Sequence, residues 1–198
     1  MSEVLQNRRS VIHPYKFNMW LGIVAMVMMF AAFTSAYVVK KADVSNWLVF
    51  DLPVMFNYSA VVIVLSSIAM QLAYFTFRRN KIGMHRIFIV LTFLLGAAFL
   101  VLQVMGWQEL KSEGILLKGN VAGSFLYVIS GAHFLHVVGG VIALLVFVFL
   151  AFTRYNRPED TLLENIQPER QIGVELMATY WHFVDVLWLY LFFFFQMS

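Results

Sequence analysis

The sequence predicts an all-α integral membrane protein, a bundle of five transmembrane helices. Hydrophobic residues make up 61% of the 198 positions, charged residues only 13%, and the mean hydropathy is +0.77. A soluble domain usually has about 25% charged residues, so this much apolar surface indicates contact with lipid or with other membrane subunits. The chain also contains five apolar runs that reach the roughly 20 residues needed to cross about 30 Å of hydrocarbon. A transmembrane barrel would instead alternate polar and apolar residues over segments of about 10, and the sequence lacks this pattern.

The predicted elements follow these apolar runs in order. Residues 1–16 form a polar cytoplasmic tail, and residues 17–198 form a single domain. The five spans are placed at about 18–39, 53–77, 87–107, 124–152 and 174–195. Pro53 suits the first turn of the second span, where its missing N–H costs little. The longest polar connection, 153–173, is predicted to be a cytoplasmic loop.

The basic residues predict a cytoplasmic N-terminus and an outside C-terminus. With this orientation ten basic residues lie on the cytoplasmic side: Arg8, Arg9, Lys16, Arg78, Arg79, Lys81, Arg86, Arg154, Arg157 and Arg170. The outer loops hold four: Lys40, Lys41, Lys111 and Lys118. The excess on one side is what the positive-inside rule describes. The net charge of +3 therefore reflects topology and gives no reason to expect a nucleic-acid partner.

The last span carries polar residues on one face. The stretch "YWHFVDVLW", residues 180–188, places His182 and Asp185 three residues apart near the middle of this span. Side chains at i and i+3 are neighbours on a helix, and Glu175 lies seven residues before His182, so the three residues share a stripe. A charge near the bilayer centre costs about 2.5–3.5 kcal/mol on insertion scales, which indicates a specific role for Asp185.

The fourth span carries His133 and His136 with the same spacing, in "GAHFLHVVGG". Because the fourth and fifth helices are antiparallel, His136 and the pair His182 and Asp185 are expected at similar depth, where they could form a polar bridge. Three interpretations are open: a metal site, a proton relay, or a structural bridge whose interhelical hydrogen bonds contribute about 0.6–2 kcal/mol each. The structural bridge is favoured.

Metal and catalytic chemistry have little support in the sequence. The absence of cysteine excludes disulfides and thiolate metal sites. Two of the five histidines, His13 and His85, fall in the predicted tail and in a predicted cytoplasmic loop. No catalytic, cofactor-binding or metal-ligating residue is therefore assigned. Asn57, Gln103 and Trp181 are predicted to make packing or lipid contacts, and the five tryptophans mostly lie near predicted helix ends, as interfacial anchors do.

Two motifs resemble one known family. "YWHFVDVLW" closely resembles the closing signature of subunit III of the haem–copper terminal oxidases, and "SGAHFLHVVGG" is similar to that family's Gly-x-His-x-x-His-Val helix. Weaker similarities run through the first three spans, in "NMWLGIVAMVMMFAAFTSAY", "FNYSAVVIVLSSIAM" and "GAAFLVLQVMGW". Glu175 also matches a family position. The resemblance covers nearly everything from about residue 16 to the C-terminus.

This resemblance implies the short, five-helix form of a non-catalytic oxidase subunit in the bacterial cytoplasmic (inner) membrane. It implies packing on the catalytic subunit I, with subunit II or other respiratory-complex subunits as further partners. Haem and copper are expected in those partners and not in this chain, which would bind structural phospholipid and support proton uptake. The buried polar residues would then lock the last helix into its bundle. Family glutamates in the first and third spans correspond to Met26 and Gly106 here, so a role for those carboxylates does not transfer.

Several functions compete. The leading hypothesis is subunit III of a cytochrome c oxidase, and the alternative is subunit III of a quinol oxidase, which shares these motifs. The electron donor is recognised by subunit II, through a copper site that is present or absent there. A neighbouring gene that encodes a copper-binding Cys-x-x-x-Cys motif would therefore indicate a cytochrome c oxidase. From another class, a small transporter would be active without partner subunits, and a membrane hydroxylase would contain iron.

Overall fold

Five long helices make up the part of the protein that the structure describes. The computed structural model describes residues 14–45, 47, 51–117, 120–153 and 168–197. The helices are α1 (Pro14–Asp43), α2 (Val54–Arg78), α3 (Ile82–Ser112), α4 (Val121–Thr153) and α5 (Pro168–Met197). All five are long and apolar enough to cross a membrane, and the described ranges contain no strand. The predicted fold class is confirmed.

Four of the described helices extend beyond the predicted spans at both ends, and α2 extends beyond its span only at its C-terminal end. Residues 14–16, predicted as part of the tail, begin α1, and residues 168–173, predicted as loop, begin α5. The reason is that backbone hydrogen bonding continues past the apolar run when charged residues follow. Lys40 and Lys41, for example, occupy the last turn of α1, where a positive charge favours the negative end of the helix dipole. The rest of the tail and most of the predicted loop 153–173 lie outside the described residues.

Helices α2 and α3 form a tight hairpin and have the most extensive contact of any pair. Asn80 makes the turn with φ of 55°, a left-handed conformation that asparagine tolerates better than most residues. Ser59, Ser66, Ala69 and Ala73 are buried on α2, and such small side chains let a neighbouring helix approach closely. Pro53 directly precedes α2, as its missing N–H predicts.

Helix α5 lies at the centre of the bundle. It packs on α1, α2 and α4, and its tryptophans also reach α3. Its most apolar window is 44% buried inside the protein, against 22% for those of α1 and α4. The last helix is therefore the element that contacts all four others, although one of its faces remains exposed, as at Val186 and Phe193.

Contacts at the two ends give the helix directions. At one end Lys16 of α1 meets Glu175 of α5, and Arg86 near the start of α3 donates from Nε to the carbonyl of Ala151 near the end of α4, at 2.9 Å. At the other end Tyr37 of α1 packs against Phe194 of α5. Helices α1, α3 and α5 therefore run in one direction, and α2 and α4 in the other.

Candidate functional site

Trp181 connects α5 to three other helices. It is 1% exposed, and its Nε1 donates to Ser66 Oγ of α2 at 3.0 Å. The edge of the indole ring lies against two glycines, Gly96 of α3 and Gly140 of α4. A Cβ added at Gly96 would lie 2.8 Å from Trp181 Cη2, and one added at Gly140 would lie 2.9 Å from Cζ3. The ring thus fits a slot that only glycine leaves open.

The interfacial position expected for most of the tryptophans does not apply to two of them. Trp181 and Trp188 are both buried near the middle of α5. The physical reason is the space that neighbouring helices provide, since a large aromatic ring in the bundle core needs small residues opposite it. Gly96 in the third span and Gly140 in the fourth span are the sequence signal for this packing. Each leaves room for the ring of Trp181 in "YWHFVDVLW".

His182 bridges α5 to α2. Its Nδ1 lies 2.7 Å from Ser67 Oγ, and its Nε2 lies 2.9 Å from Gln71 Oε1. Because the amide oxygen only accepts, the Nε2–H tautomer satisfies both contacts: the imidazole donates to Gln71, and the Ser67 hydroxyl donates to Nδ1. Both ring nitrogens are therefore occupied by the protein itself.

Asp185 lies one turn further along α5 and is 2% exposed. It lies close to Ser67, but neither carboxylate oxygen has a hydrogen-bond partner among the described residues. Buried polar groups in proteins are almost always hydrogen-bonded. Asp185 thus differs from His182, although both share the stripe that the sequence predicts.

The two histidines of α4 have separate surroundings. His133 is fully buried and stacks on Trp188, with ring centroids 5.2 Å apart and an interplanar angle of 25°. Neither of its ring nitrogens has a hydrogen-bond partner in the described parts of the chain. The Nδ1 of His136 instead pairs with the carbonyl of Ala132 on its own helix at 2.7 Å.

The polar residues of α5 therefore bond to different neighbouring helices and do not form one shared cluster. Tyr180 Oη donates to the backbone carbonyl of His136 at 2.9 Å, which joins α5 to α4. Glu175 Oε1 accepts from Lys16 Nζ at 2.7 Å, which joins α5 to α1. The sequence suggested one bridge between the fourth and fifth helices through His136 and the side chains of His182 and Asp185. In the structure the side chain of His182 bonds to α2 instead, because α2 lies beside that part of the stripe.

The two other predicted contact residues also have defined surroundings. Gln103 is buried and its Nε2 donates to Ser59 Oγ at 3.2 Å, which links α3 to α2. Asn57 is exposed near the start of α2 and lines an outer groove of about 410 Å³. Position 106 is glycine, and the Phe56 ring occupies the place where a Cβ would lie. A longer side chain at that position would require Phe56 to move.

His85 is the residue that sequence reasoning misplaced. It is not in a loop but within α3, where it is buried. Its Nδ1 lies 2.9 Å from the carbonyl of Ala73, and its ring packs against Phe77, so it fastens the α2–α3 hairpin. The signal was the three- and four-residue spacing of the buried stripe of α3, which starts at His85 and continues through Ile89. His13 lies outside the described residues.

These polar contacts can lock the helices together. The described residues contain no cluster of three or more His, Cys, Asp or Glu side chains that could hold a metal ion.

Comparison with known proteins identifies the family. The model of the cytochrome c oxidase subunit III family matches residues 5–197. The chain belongs to this family. The closing motif of this subunit III is the segment that carries Trp181 and His182, at the centre of the bundle.

Named relatives of this subunit III come from both kinds of terminal oxidase. The probable cytochrome c oxidase subunit 3 of Mycobacterium bovis is 32% identical over 179 residues, which cover 87% of this chain and 81% of the relative. The probable cytochrome c oxidase subunit 3 of Nocardia farcinica is 31% identical over 182 residues, with the same coverages. The cytochrome bo(3) ubiquinol oxidase subunit 3 of Buchnera aphidicola is 24% identical over 180 residues, 89% of each chain.

Proposed function

We propose that this chain is the non-catalytic subunit III of a bacterial cytochrome c oxidase, a complex that reduces oxygen and translocates protons. The supporting observation is the 32% identity to a probable cytochrome c oxidase subunit 3 over most of both chains. Subunit I is the main partner, with subunit II or another respiratory subunit beside it. The complex lies in the cytoplasmic membrane, with the N-terminus of this chain inside.

The contacts of the polar residues support a non-catalytic role. Both ring nitrogens of His182 are hydrogen-bonded to α2, and Glu175 is paired with Lys16. A ring nitrogen that already has a hydrogen-bond partner within the protein is not free to ligate a metal. These residues hold α5 against its neighbours, while haem and copper are carried by the partner subunits.

Phospholipid is the remaining ligand of the proposal. An apolar groove of about 390 Å³ lies where α1, α4 and α5 meet, lined by Met19, Gly139, Phe147 and Tyr180 among others. Its volume and apolar lining suit an acyl chain. By holding such lipid and packing on subunit I, the chain supports proton uptake by the catalytic subunit.

A quinol oxidase is the second candidate. It is favoured by the match to the ubiquinol oxidase subunit 3 of Buchnera aphidicola, which covers 89% of both chains. The identity is lower, 24% against 32%, so the cytochrome c oxidase is preferred.

The test is affinity purification of the tagged chain in mild detergent, followed by subunit identification and an optical spectrum. We expect a haem-bearing partner with many helices, together with a copper-binding partner. Haem without the copper-binding partner would assign the chain to a quinol oxidase. A lone, colourless chain would contradict both assignments.

A further inference from the structure

The outer surface of α5 is unusually polar for a surface at membrane depth. Six of the half-buried or exposed residues of α5 recur at intervals of four and three and therefore share one stripe: Glu175, Thr179, His182, Val186, Leu189 and Phe193. Helices α1 and α2 pack on either side of α5 without extensive contact with each other. This stripe therefore contains residues of the central helix that the other helices cover only in part, and Val186 and Phe193 are its most exposed members.

Helix α2 continues the polar surface with the same spacing. Its adjoining residues are Ser67, Gln71, Tyr74 and Arg78, of which the first three are half-buried and the last is exposed. We call these residues, with the α5 stripe, the α2–α5 seam. His182 lies 11 residues after Gln171, or about 16 Å along the axis at 1.5 Å per residue. The polar centre of the seam thus lies well inside the hydrocarbon layer.

At the centre of the seam, the Gln71 amide lacks one hydrogen-bond partner among the described residues. Gln71 uses its Oε1 to accept from His182, whereas no hydrogen bond is formed by its Nε2 in the described part of the chain. An amide without a hydrogen bond is costly in lipid, because no water is available there to replace the missing partner. A lipid acyl chain offers no acceptor, but a neighbouring helix can offer a hydroxyl, an amide or a carbonyl oxygen.

Two hollows extend the seam toward both membrane surfaces. At one end a polar pocket of about 250 Å³ is lined by Tyr74, Arg78, Gln171 and Glu175 together with Phe77. At the other end the groove of about 410 Å³ is lined mainly by apolar residues of α2, including the small Ala60, and by Phe192 of α5. The seam therefore offers charged and polar contacts near one surface, a hydrogen-bonding centre, and an apolar groove near the other.

The outer surfaces of α3 and α4 have a different character. Every half-buried or exposed residue from 87 to 105 of α3 is apolar, and from 128 to 150 of α4 all are apolar or glycine except His136, whose Nδ1 is bonded to a carbonyl of its own helix. Such a surface suits lipid. Polar residues at membrane depth normally face a protein interior or a water-filled cavity. The contrast separates a lipid-facing side from a side that protein covers.

We infer that the α2–α5 seam is the surface on which a transmembrane helix of a partner oxidase subunit packs. The partner helix is apolar, carries a hydrogen-bond acceptor at the depth of Gln71, and has a polar or charged end that meets Arg78 and Glu175. This inference rests on the proposed function, because it requires that the chain is part of a complex. Beyond the proposed function, it specifies which face of the chain contacts the partner subunit.

Site-specific photo-cross-linking in native membranes tests this surface. A benzoylphenylalanine is placed at Val186 on the seam, or at Val101 on the outer face of α3 as the matched control. The two valines are similarly exposed, 63% and 59%. We expect the probe at position 186 to cross-link this chain to another oxidase subunit and the probe at position 101 to yield lipid adducts. Lipid adducts at both positions, or a subunit adduct from position 101 alone, would overturn the inference.

Bulky substitutions provide a second measurement. Val186→Trp should reduce the amount of this chain recovered per haem by about tenfold, which corresponds to about 1.4 kcal/mol of binding. Val101→Trp should leave the recovery unchanged, since a larger apolar side chain is tolerated in lipid. Equal recovery of both variants would contradict the proposed seam while leaving the subunit assignment intact. A wild-type chain that purifies without haem would instead contradict the proposed function, and the inference with it.

Discussion

Trp181 and Trp188 lie seven residues apart on the same face of α5, yet their surroundings differ. Trp181 donates a hydrogen bond to Ser66 and fits against Gly96 and Gly140. Trp188 is packed among aromatic rings, stacked on His133 and edge-on to Phe99 and Phe56. Its Nε1 has no hydrogen-bond partner among the described residues.

The difference shows two ways to fix a large ring in a membrane bundle. At Trp181 the shape of the slot and one directional bond determine the position, so the site tolerates little change. At Trp188 the ring is held mainly by contact area and by aromatic geometry, which contributes about 0.5–1.5 kcal/mol per pair beyond burial. The neighbouring polar atoms of Asp185 and His133 are left without hydrogen bonds in the described part of the protein.

The largest effect is expected for Trp181→Ala. Removing the ring leaves a cavity between four helices and deletes the bond to Ser66, and large-to-small changes of this kind cost about 3–5 kcal/mol. The measurement is the temperature at which half of the tagged chain is lost from its size-exclusion peak after heating in mild detergent. Trp20→Ala is the control, because Trp20 is 59% exposed, and its peak should be lost at the wild-type temperature. Equal half-loss temperatures for the two variants would show that the Trp181 slot does not determine stability.

The next effect is expected at the glycines of the slot. Gly140→Ala places a methyl group 2.9 Å from Trp181 Cζ3 and 3.0 Å from Tyr180 Cε1, and overpacking of this kind costs about 1–3 kcal/mol. The adjacent Gly139 is an internal control, since a Cβ there meets nothing within 4 Å. Gly139→Ala should keep or slightly raise the heat resistance, because alanine is the better helix former. If Gly140→Ala is as stable as Gly139→Ala, the ring has room to shift.

The fold could be predicted further than the site. Four charge-free runs and a fifth apolar run that contains Glu175 and Asp185 locate the five described helices, because crossing lipid requires about 20 predominantly apolar residues whatever their order. Helix ends were missed where charged residues such as Lys40 and Lys41 prolong a helix. For the site, the spacing of His182 and Asp185 predicts that they share a face, since that is a property of one helix. It does not predict that α2 faces His182, because the neighbour of each face depends on how all five helices pack.

The smallest effect is expected from replacing each tryptophan by phenylalanine, which removes the indole N–H. Trp181→Phe removes the donor to Ser66 and leaves a buried hydroxyl with one bond fewer, whereas Trp188→Phe removes an N–H that has no partner in the described chain. Both variants lose similar ring area, so Trp181→Phe should be less stable by about 1 kcal/mol, the usual net value of a hydrogen bond. The same heating assay measures the difference. Adding Ser66→Ala to each variant isolates the bond: the second substitution should cost less in Trp181→Phe, where the bond is already lost, than in Trp188→Phe, where it is intact. Equal costs in the two backgrounds would mean that the hydrogen bond contributes nothing, and that shape alone separates the two sites.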